Sequence, residues 1–240
     1  MKTINLVVLT FFMSVGIAHS ANISSLFSTG AGASFNDGTV DSNWTVTGGS
    51  LPSTTYAVTT PTGLVWGGFT TANAHTNNGV STWISPSAPP AFHPGGNYTY
   101  RTSFDLTGFN LNTVSISGRW EADNRLTSII LNAGTANSQT ITLTSQGALL
   151  NSVLTQYDWN LNGTSNFDFS LFTNFYKSGV NTLDFVVVNT PNPGNSATGL
   201  RVEFTNKSAT LAAAIPEPNA LVLIGVAAIG IAVTRRQKLA

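Results

Sequence analysis

The sequence contains no cysteine among its 240 residues, and charged side chains make up only 8% of it. The first absence excludes disulfides, thiolate metal sites and a cysteine nucleophile. Within residues 21–210, six Lys and Arg residues stand against nine Asp and Glu residues. This mildly acidic balance argues against a nucleic-acid-binding surface. The polar surface must instead be built mainly from Thr, Ser, Asn and Gly.

Catalytic motifs are also scarce. Residues 21–210 hold only His75 and His93, and no HExxH helix, G-x-S-x-G elbow or phosphate-binding glycine loop is present. A carboxylate pair could serve glycoside hydrolysis, but most of the acids alternate with apolar strand residues and are expected to face solvent. A Ser/His/Asp site stays open because serines are abundant. The acids in question are Glu121, Asp123, Asp158, Asp168 and Glu203.

The N-terminal 20 residues have the composition of a signal peptide. Lys2 supplies a positive start, and an apolar stretch follows over Leu6–Ile17. Small residues at Ala18 and Ser20 occupy the positions that signal peptidase reads, so we expect cleavage before Ala21. The stretch is too short for a permanent membrane helix.

The C-terminal residues form a second apolar stretch. Ala220–Val233 is about 14 residues, or about 21 Å of helix, whereas a bilayer needs roughly 20 residues. Snorkelling basic residues make a marginal span at 220–234 feasible, which suits a temporary tether. By the positive-inside rule Arg235, Arg236 and Lys238 stay cytoplasmic and the rest of the chain lies outside. The alternative is a buried C-terminal helix, although the stretch shows no amphipathic face.

A proline–glutamate–proline tripeptide precedes this stretch. Pro216 and Pro218 lock φ and remove N–H donors, so Glu217 sits in an extended, helix-incompatible segment. The tripeptide, the short apolar helix and the basic end together resemble the PEP-CTERM sorting signal of exported proteins in Gram-negative bacteria that make extracellular polysaccharide. The resemblance covers about a tenth of the chain, within 211–240.

The PEP-CTERM resemblance implies several partners. In that family a membrane-embedded cysteine protease, exosortase, cuts at or near the tripeptide. We therefore expect signal peptidase and the export machinery, an exosortase-type protease, a transient membrane tether and extracellular polysaccharide as partners, with no nucleic acid. The precursor should face the periplasm from the inner membrane and then reach the cell surface or the extracellular matrix.

Residues 21–210 show the two-residue alternation of half-buried strands, separated by Gly, Asn and Pro clusters. We predict an all-β fold, an antiparallel β-sandwich of jelly-roll type. Only Phe167–Tyr176 has the spacing of a helical turn. The alternating segments are Tyr98–Leu106, Val114–Trp120, Ile129–Leu131, Ile141–Leu143, Leu183–Val187 and Leu200–Phe204.

A second resemblance covers about residues 98–206. Gly118–Asn124, Ile129–Asn132, Gly179–Asn189 and Gly199–Glu203 resemble segments of galactose-binding-domain-like jelly rolls, some of which bind carbohydrate. The motifs concern structure more than ligand. Residues 21–56 show no such resemblance, so they are either an added strand or a loosely ordered lead.

The densest group of candidate ligand residues lies at the end of one predicted strand and consists of Trp120, Glu121, Asp123, Asn124 and Arg125. Glu121, Asp123 and Asn124 could hydrogen-bond sugar hydroxyls or coordinate Ca²⁺ through oxygen. Alternatively, Asp123 and Asn124 cap backbone N–H groups of a turn, and Trp120 continues the apolar face of its strand. No other cofactor is expected.

Aromatic residues supply the remaining candidates, because an aromatic face stacks on a sugar ring. Trp83 precedes a proline-rich loop, Pro86–Gly96, and His93 lies within it. This loop could form the rim of a binding site at the edge of the sandwich. Trp66, Trp159 and Tyr98 share this ambiguity between core and ligand. We therefore predict a non-catalytic protein that associates with carbohydrate or matrix. The alternatives are a secreted enzyme acting on polysaccharide and a surface binder such as an ice-binding protein, for which Thr140, Thr142 and Thr144 alone are too few.

Overall fold

The computed structural model describes residues 19–31, 38–49, 51–59, 80–87, 92–142, 166–190 and 194–212. The chain divides into a compact unit, His19–Leu211, and the two chain ends, Met1–Ala18 and Ala212–Ala240, of which only Ala212 is described. The described strands are β1 Ser20–Asn22, β2 Val40–Gly48, β3 Thr55–Thr59, β4 Ile84–Ser85, β5 Phe92–His93, β6 Gly96–Asp105, β7 Ser115–Asp123, β8 Arg125–Leu131, β9 Gln139–Thr142, β10 Asn166–Asp168, β11 Val180–Asn189, β12 Ser196–Ala197 and β13 Gly199–Thr210.

Eleven of these strands form one antiparallel sheet. Its order is β10-β7-β13-β4-β3-β2-β6-β11-β8-β9, and β1 pairs with β13. Strands β5 and β12 form a separate pair. We call β10, β7, β13 and β4 half A of the sheet, and β3, β2, β6, β11, β8 and β9 half B.

The sheet curls so that its two halves face each other. Phe167 of half A contacts Phe185 of half B with ring centroids 5.7 Å apart, and Trp44 reaches the same ring at 5.5 Å. Such tilted and edge-to-face pairs add to the stability that comes from burying the rings. The prediction of an all-β antiparallel sandwich is confirmed.

Side-chain alternation along the long strands builds this core. In β6, Tyr98, Tyr100 and Phe104 are buried, whereas Arg101 and Ser103 are exposed on the opposite face. The period of two therefore separates an apolar inner face from a polar outer face.

A glycine allows the closest approach in half A. A Cβ at Gly118 would overlap the carbonyl oxygen of Glu203 on β13 and the ring of Phe167 on β10. The absence of a side chain at this position therefore lets three strands and an aromatic ring pack without a gap.

Two local interpretations are resolved by the structure. The described part of residues 21–56 contributes β1, β2 and core residues, among them Ile23 and Trp44, so it is an added strand rather than a loose lead. The helical turn predicted at Phe167–Tyr176 is wrong as written. Phe167 lies in β10, and only Thr173–Phe175 forms a short 3-10 helix.

The first and the last residues of the sandwich lie at the same end of it, which we call the exit end. Ser20 pairs with Thr210, and Phe109 forms a bridge with Leu211. Thr210 also accepts a backbone hydrogen bond from Asn110 at 2.8 Å. The opposite end, which we call the far end, holds the turns at 93–96, 123–125 and 189–198.

Candidate functional site

Four charged side chains form a ladder on the outer face of half A. Because β13 pairs with β7, Arg201 lies opposite Glu121, and Glu203 lies opposite Arg119. Arg201 Nη1 is 3.5 Å from Glu121 Oε2, and Arg119 Nη2 donates to Glu203 Oε1 at 2.8 Å. Ser81 joins the two pairs, since it accepts from Arg201 Nε at 3.1 Å and donates to Glu203 Oε2 at 3.4 Å.

Three of the four residues of this charge ladder are buried and Arg119 is partly exposed, which corrects the expectation that most of the acids face solvent. Glu121, Asp123 and Glu203 are 0%, 1% and 8% exposed, although Asp168 is exposed as expected. Burial lowers the pKa of Arg201, and its carboxylate neighbours oppose that shift. A carboxylate that is both ion-paired and buried is not accessible to a polymeric substrate. The charge ladder instead stabilises the pairing of β7 with β13.

Asp123 and Asn124 lie at the far end, where they form hydrogen bonds with the residues that follow β11 and precede β13. Asn124 Oδ1 accepts from the N–H of Thr190 at 2.7 Å, and its amide donates to Asp123 Oδ1 at 2.9 Å. The carbonyl of Asp123 accepts from Thr198 Oγ1 at 3.0 Å. These contacts fit the turn-capping interpretation. Among the described residues, no group of three or more His, Asp or Glu side chains is arranged to hold a metal ion.

His93 lies beside a serine at the far end. Ser87 Oγ is 3.0 Å from His93 Nε2, and the imidazole packs edge-on against Tyr98 at 5.9 Å. Asn189 Nδ2 donates to the carbonyl of His93 at 2.8 Å and thereby fixes the backbone of this turn. Burial lowers the pKa of His93, which favours the neutral ring.

The lowered pKa of His93 makes stability depend on pH in a defined direction. Below its ordinary pKa of about 6.5, the unfolded chain binds a proton more readily than the folded chain, so acidification destabilises the fold. We expect the melting temperature to fall between pH 7.5 and 5.5, and to fall less in His93→Phe, which keeps a ring against Tyr98. Thermal unfolding of both proteins at each pH measures this difference. An equal fall in both would contradict it.

The aromatic candidates that the structure describes belong to the interior. Trp120 is 6% exposed, as the strand pattern predicted, and Trp83 is 2% exposed. Trp66 and Trp159 lie outside the described residues, as does His75. The loop Pro86–Gly96 is described except for 88–91, and Phe92 within it is 49% exposed.

The outer face of half B is the feature that sequence reasoning missed. Strand pairing places six residues in one row across the strands, with Arg101 and Asp184 at its centre. Arg101 Nε and Nη2 donate to the two carboxylate oxygens of Asp184 at 2.6 and 2.7 Å. This contact raises the pKa of Arg101. The row is Tyr56, Thr45, Arg101, Asp184, Ile130 and Thr140.

A neighbouring row on the outer face of half B carries Thr47, Thr99, Val186 and Ser128. Single threonines in the sequence gave no sign of this row, because its residues lie up to 139 positions apart, as Thr47 and Val186 do. The only sequence signal was the alternation of Thr with buried residues, as in Trp44-Thr45-Val46-Thr47.

The sorting tripeptide and the basic end lie outside the described residues, as does Ala18 of the signal-peptidase site, whose Ser20 and Ala21 are in β1. Within the described ranges, no helix has the length and apolar character needed to cross a membrane. The predicted span at 220–234 therefore stays a prediction.

Comparison with protein families identifies one motif. Residues 214–237 match the PEP-CTERM protein-sorting motif, which confirms the resemblance of the tail. Comparisons with curated proteins and with solved structures found no match. The galactose-binding-domain-like resemblance is accordingly not confirmed, and the ligand has to be argued from the surface of the sandwich.

Proposed function

We propose that this chain, an exported protein tethered at the membrane through its PEP-CTERM motif before exosortase-type processing, is a non-catalytic β-sandwich that associates with extracellular polysaccharide. After processing it would reside at the cell surface or in the matrix. The sorting motif carries the first part of this statement, and the neutral hydroxyl surface of half B supports the second.

The exit end supports a tethered precursor. Leu211 lies at the end of β13, three residues before the sorting motif begins, and β13 is held on both sides by β7 and β1. The sandwich can therefore be complete while the tail is still attached. Processing would release a folded domain rather than a nascent one.

The surface supports a binding role over a catalytic one. The acids Glu121 and Glu203 are closed to water within the charge ladder, and Asp123 is 1% exposed. Glycoside hydrolysis needs two carboxyl groups that flank the scissile bond. The outer face of half B instead offers hydroxyl groups, which exchange hydrogen bonds with sugar hydroxyls in either direction.

Binding and turnover can be measured together. The full chain in detergent micelles would be incubated with the polysaccharide of a bacterium that carries exosortase, then sedimented, and the supernatant assayed for reducing sugar. We expect the protein in the pellet and no release of sugar. Protein that stays in the supernatant would contradict the proposed association.

One observation favours the enzyme alternative. Ser87 and His93 form a hydrogen-bonded pair at the far end, with a neutral imidazole that could act as a base. Release of reducing sugar or of ester groups in the same assay, lost in Ser87→Ala, would replace the binding proposal with a hydrolase.

A further inference from the structure

The outer face of half B combines width, neutrality and unused hydroxyl groups. From these we infer that it binds an extended chain of a neutral polysaccharide, laid across the strands. The inference rests on the proposed function and assigns it a site. It commits to the face formed by the two rows described above, the Tyr56 row and the Thr47 row.

The hydroxyl groups of this face have no partners among the described residues. The side chains of Thr45, Thr47 and Thr99 make no hydrogen bond with any described residue, and each follows a buried residue of its strand, which places it on the outer face. The same holds for Ser103, Ser128, Thr140 and Thr182. Each hydroxyl can therefore donate one hydrogen bond to a ligand and accept up to two from it.

The two charges at the centre of the face neutralise each other. Asp184 neutralises Arg101, whose side chain is 47% exposed and whose Nη1 atom stays available to a hydroxyl oxygen. Arg125 lies at the far end and Asp105 at the exit end, so both are too far from the centre of the face to act on a ligand there. A neutral polymer therefore meets no uncompensated field at the centre, whereas an acidic polymer gains no attraction there.

The dimensions suit a polymer rather than a single sugar. The Tyr56 row crosses six strands, and at about 4.8 Å between strands it spans about 24 Å. Tyr56, at one end of the row, is 53% exposed and offers a ring for stacking on a sugar face. Ile130 and Val186 are half-buried between the polar residues and can meet the C–H groups of the chain.

Half A provides the contrast. Its outer face carries the ion pair of Arg201 and Glu121 at 1% and 0% exposure, so this part of the face is not open to a ligand. Thr205 is an exposed threonine of half A at the β-bulge of β13, and like those of half B its hydroxyl makes no hydrogen bond with a described residue. It is therefore a control for the loss of one exposed hydroxyl outside the inferred site.

The test compares valine variants of the full chain in detergent micelles, titrated with hydroxyethyl cellulose and dextran. Valine keeps the β-branched shape and strand propensity of threonine, so the fold should be retained. We expect Thr45→Val/Thr47→Val/Thr99→Val to weaken binding by about tenfold or more, since three hydrogen bonds are lost. Thr205→Val should bind as the parent protein does.

A second pair of variants tests the stacking ring. Tyr56→Ala should weaken binding by about threefold to tenfold, whereas Tyr56→Phe keeps the ring and should bind nearly as the parent does. If the triple variant melts at a lower temperature than the parent, the single variants Thr47→Val and Thr99→Val provide the comparison instead.

Each outcome has a separate meaning. Equal binding by the triple variant and the Thr205→Val control would overturn this face as the site and leave the proposed function standing. Stronger binding of alginate than of either neutral polymer would overturn the neutral ligand. A parent protein that binds none of these polymers, nor the polysaccharide of an exosortase-bearing bacterium, would remove the proposed association itself.

Discussion

Replacing Arg201 with methionine is expected to lower the free energy of unfolding by about 3–5 kcal/mol, because it removes the Arg201 guanidinium from a buried ion pair with the Glu121 carboxylate. Arg201 and Glu121 are 1% and 0% exposed and face each other across β7 and β13. For a domain of this size the loss corresponds to roughly 6–20 °C in melting temperature. Thermal unfolding followed by tryptophan fluorescence measures it.

Two further variants separate the cause from a general loss of charge. Arg125 is exposed, so Arg125→Met should change the free energy of unfolding by no more than about 0.5 kcal/mol. The double variant Arg201→Met/Glu121→Leu removes both buried charges and should recover much of the loss. If the single variant Arg201→Met has the same melting temperature as the parent protein, the charge ladder does not hold the two strands together.

Replacing Glu217 with alanine is expected to abolish C-terminal processing, so that the full-length precursor accumulates in the membrane fraction. The sorting motif spans 214–237 and contains Glu217 between two prolines. The motif implies exosortase-type processing, and Glu217 is the only acidic residue of the matched stretch, so the variant removes the only carboxylate that the processing machinery could contact there. Mass spectrometry of the C-terminus of the secreted and membrane-bound protein measures the outcome.

The matched control for the tripeptide is the next residue along the chain. Asn219→Ala changes a polar side chain within the motif but outside the tripeptide, and processing should continue. Normal release of Glu217→Ala would mean that recognition depends on the apolar stretch and basic end alone. In both variants the sandwich should melt as in the parent, since Glu217 lies beyond β13, the last of the described strands, which ends at Thr210.

The sequence alone identified the long strands of the sandwich and the sorting motif. Both signals are local: alternation along Tyr98–Leu106 fixes which side chains face inward, and the sorting motif is a contiguous stretch of residues. The absence of cysteine likewise decided the question of disulfides before any coordinates. Such properties depend on neighbours within a few positions, so they can be read along the chain.

Only the tertiary structure decided which strands are neighbours. The alternation that identified β7 and β13 marked Arg201, Glu203 and Glu121 as outward-facing, and for an isolated strand that predicts exposure. Strand pairing then placed opposite charges that are about 80 positions apart along the chain next to each other, and the fold buried the two carboxylates. The hydroxyl face of half B has the same origin, because Thr45, Arg101 and Asp184 meet only through strand register. Register is a long-range property, fixed when the whole core packs, and no short segment carries it.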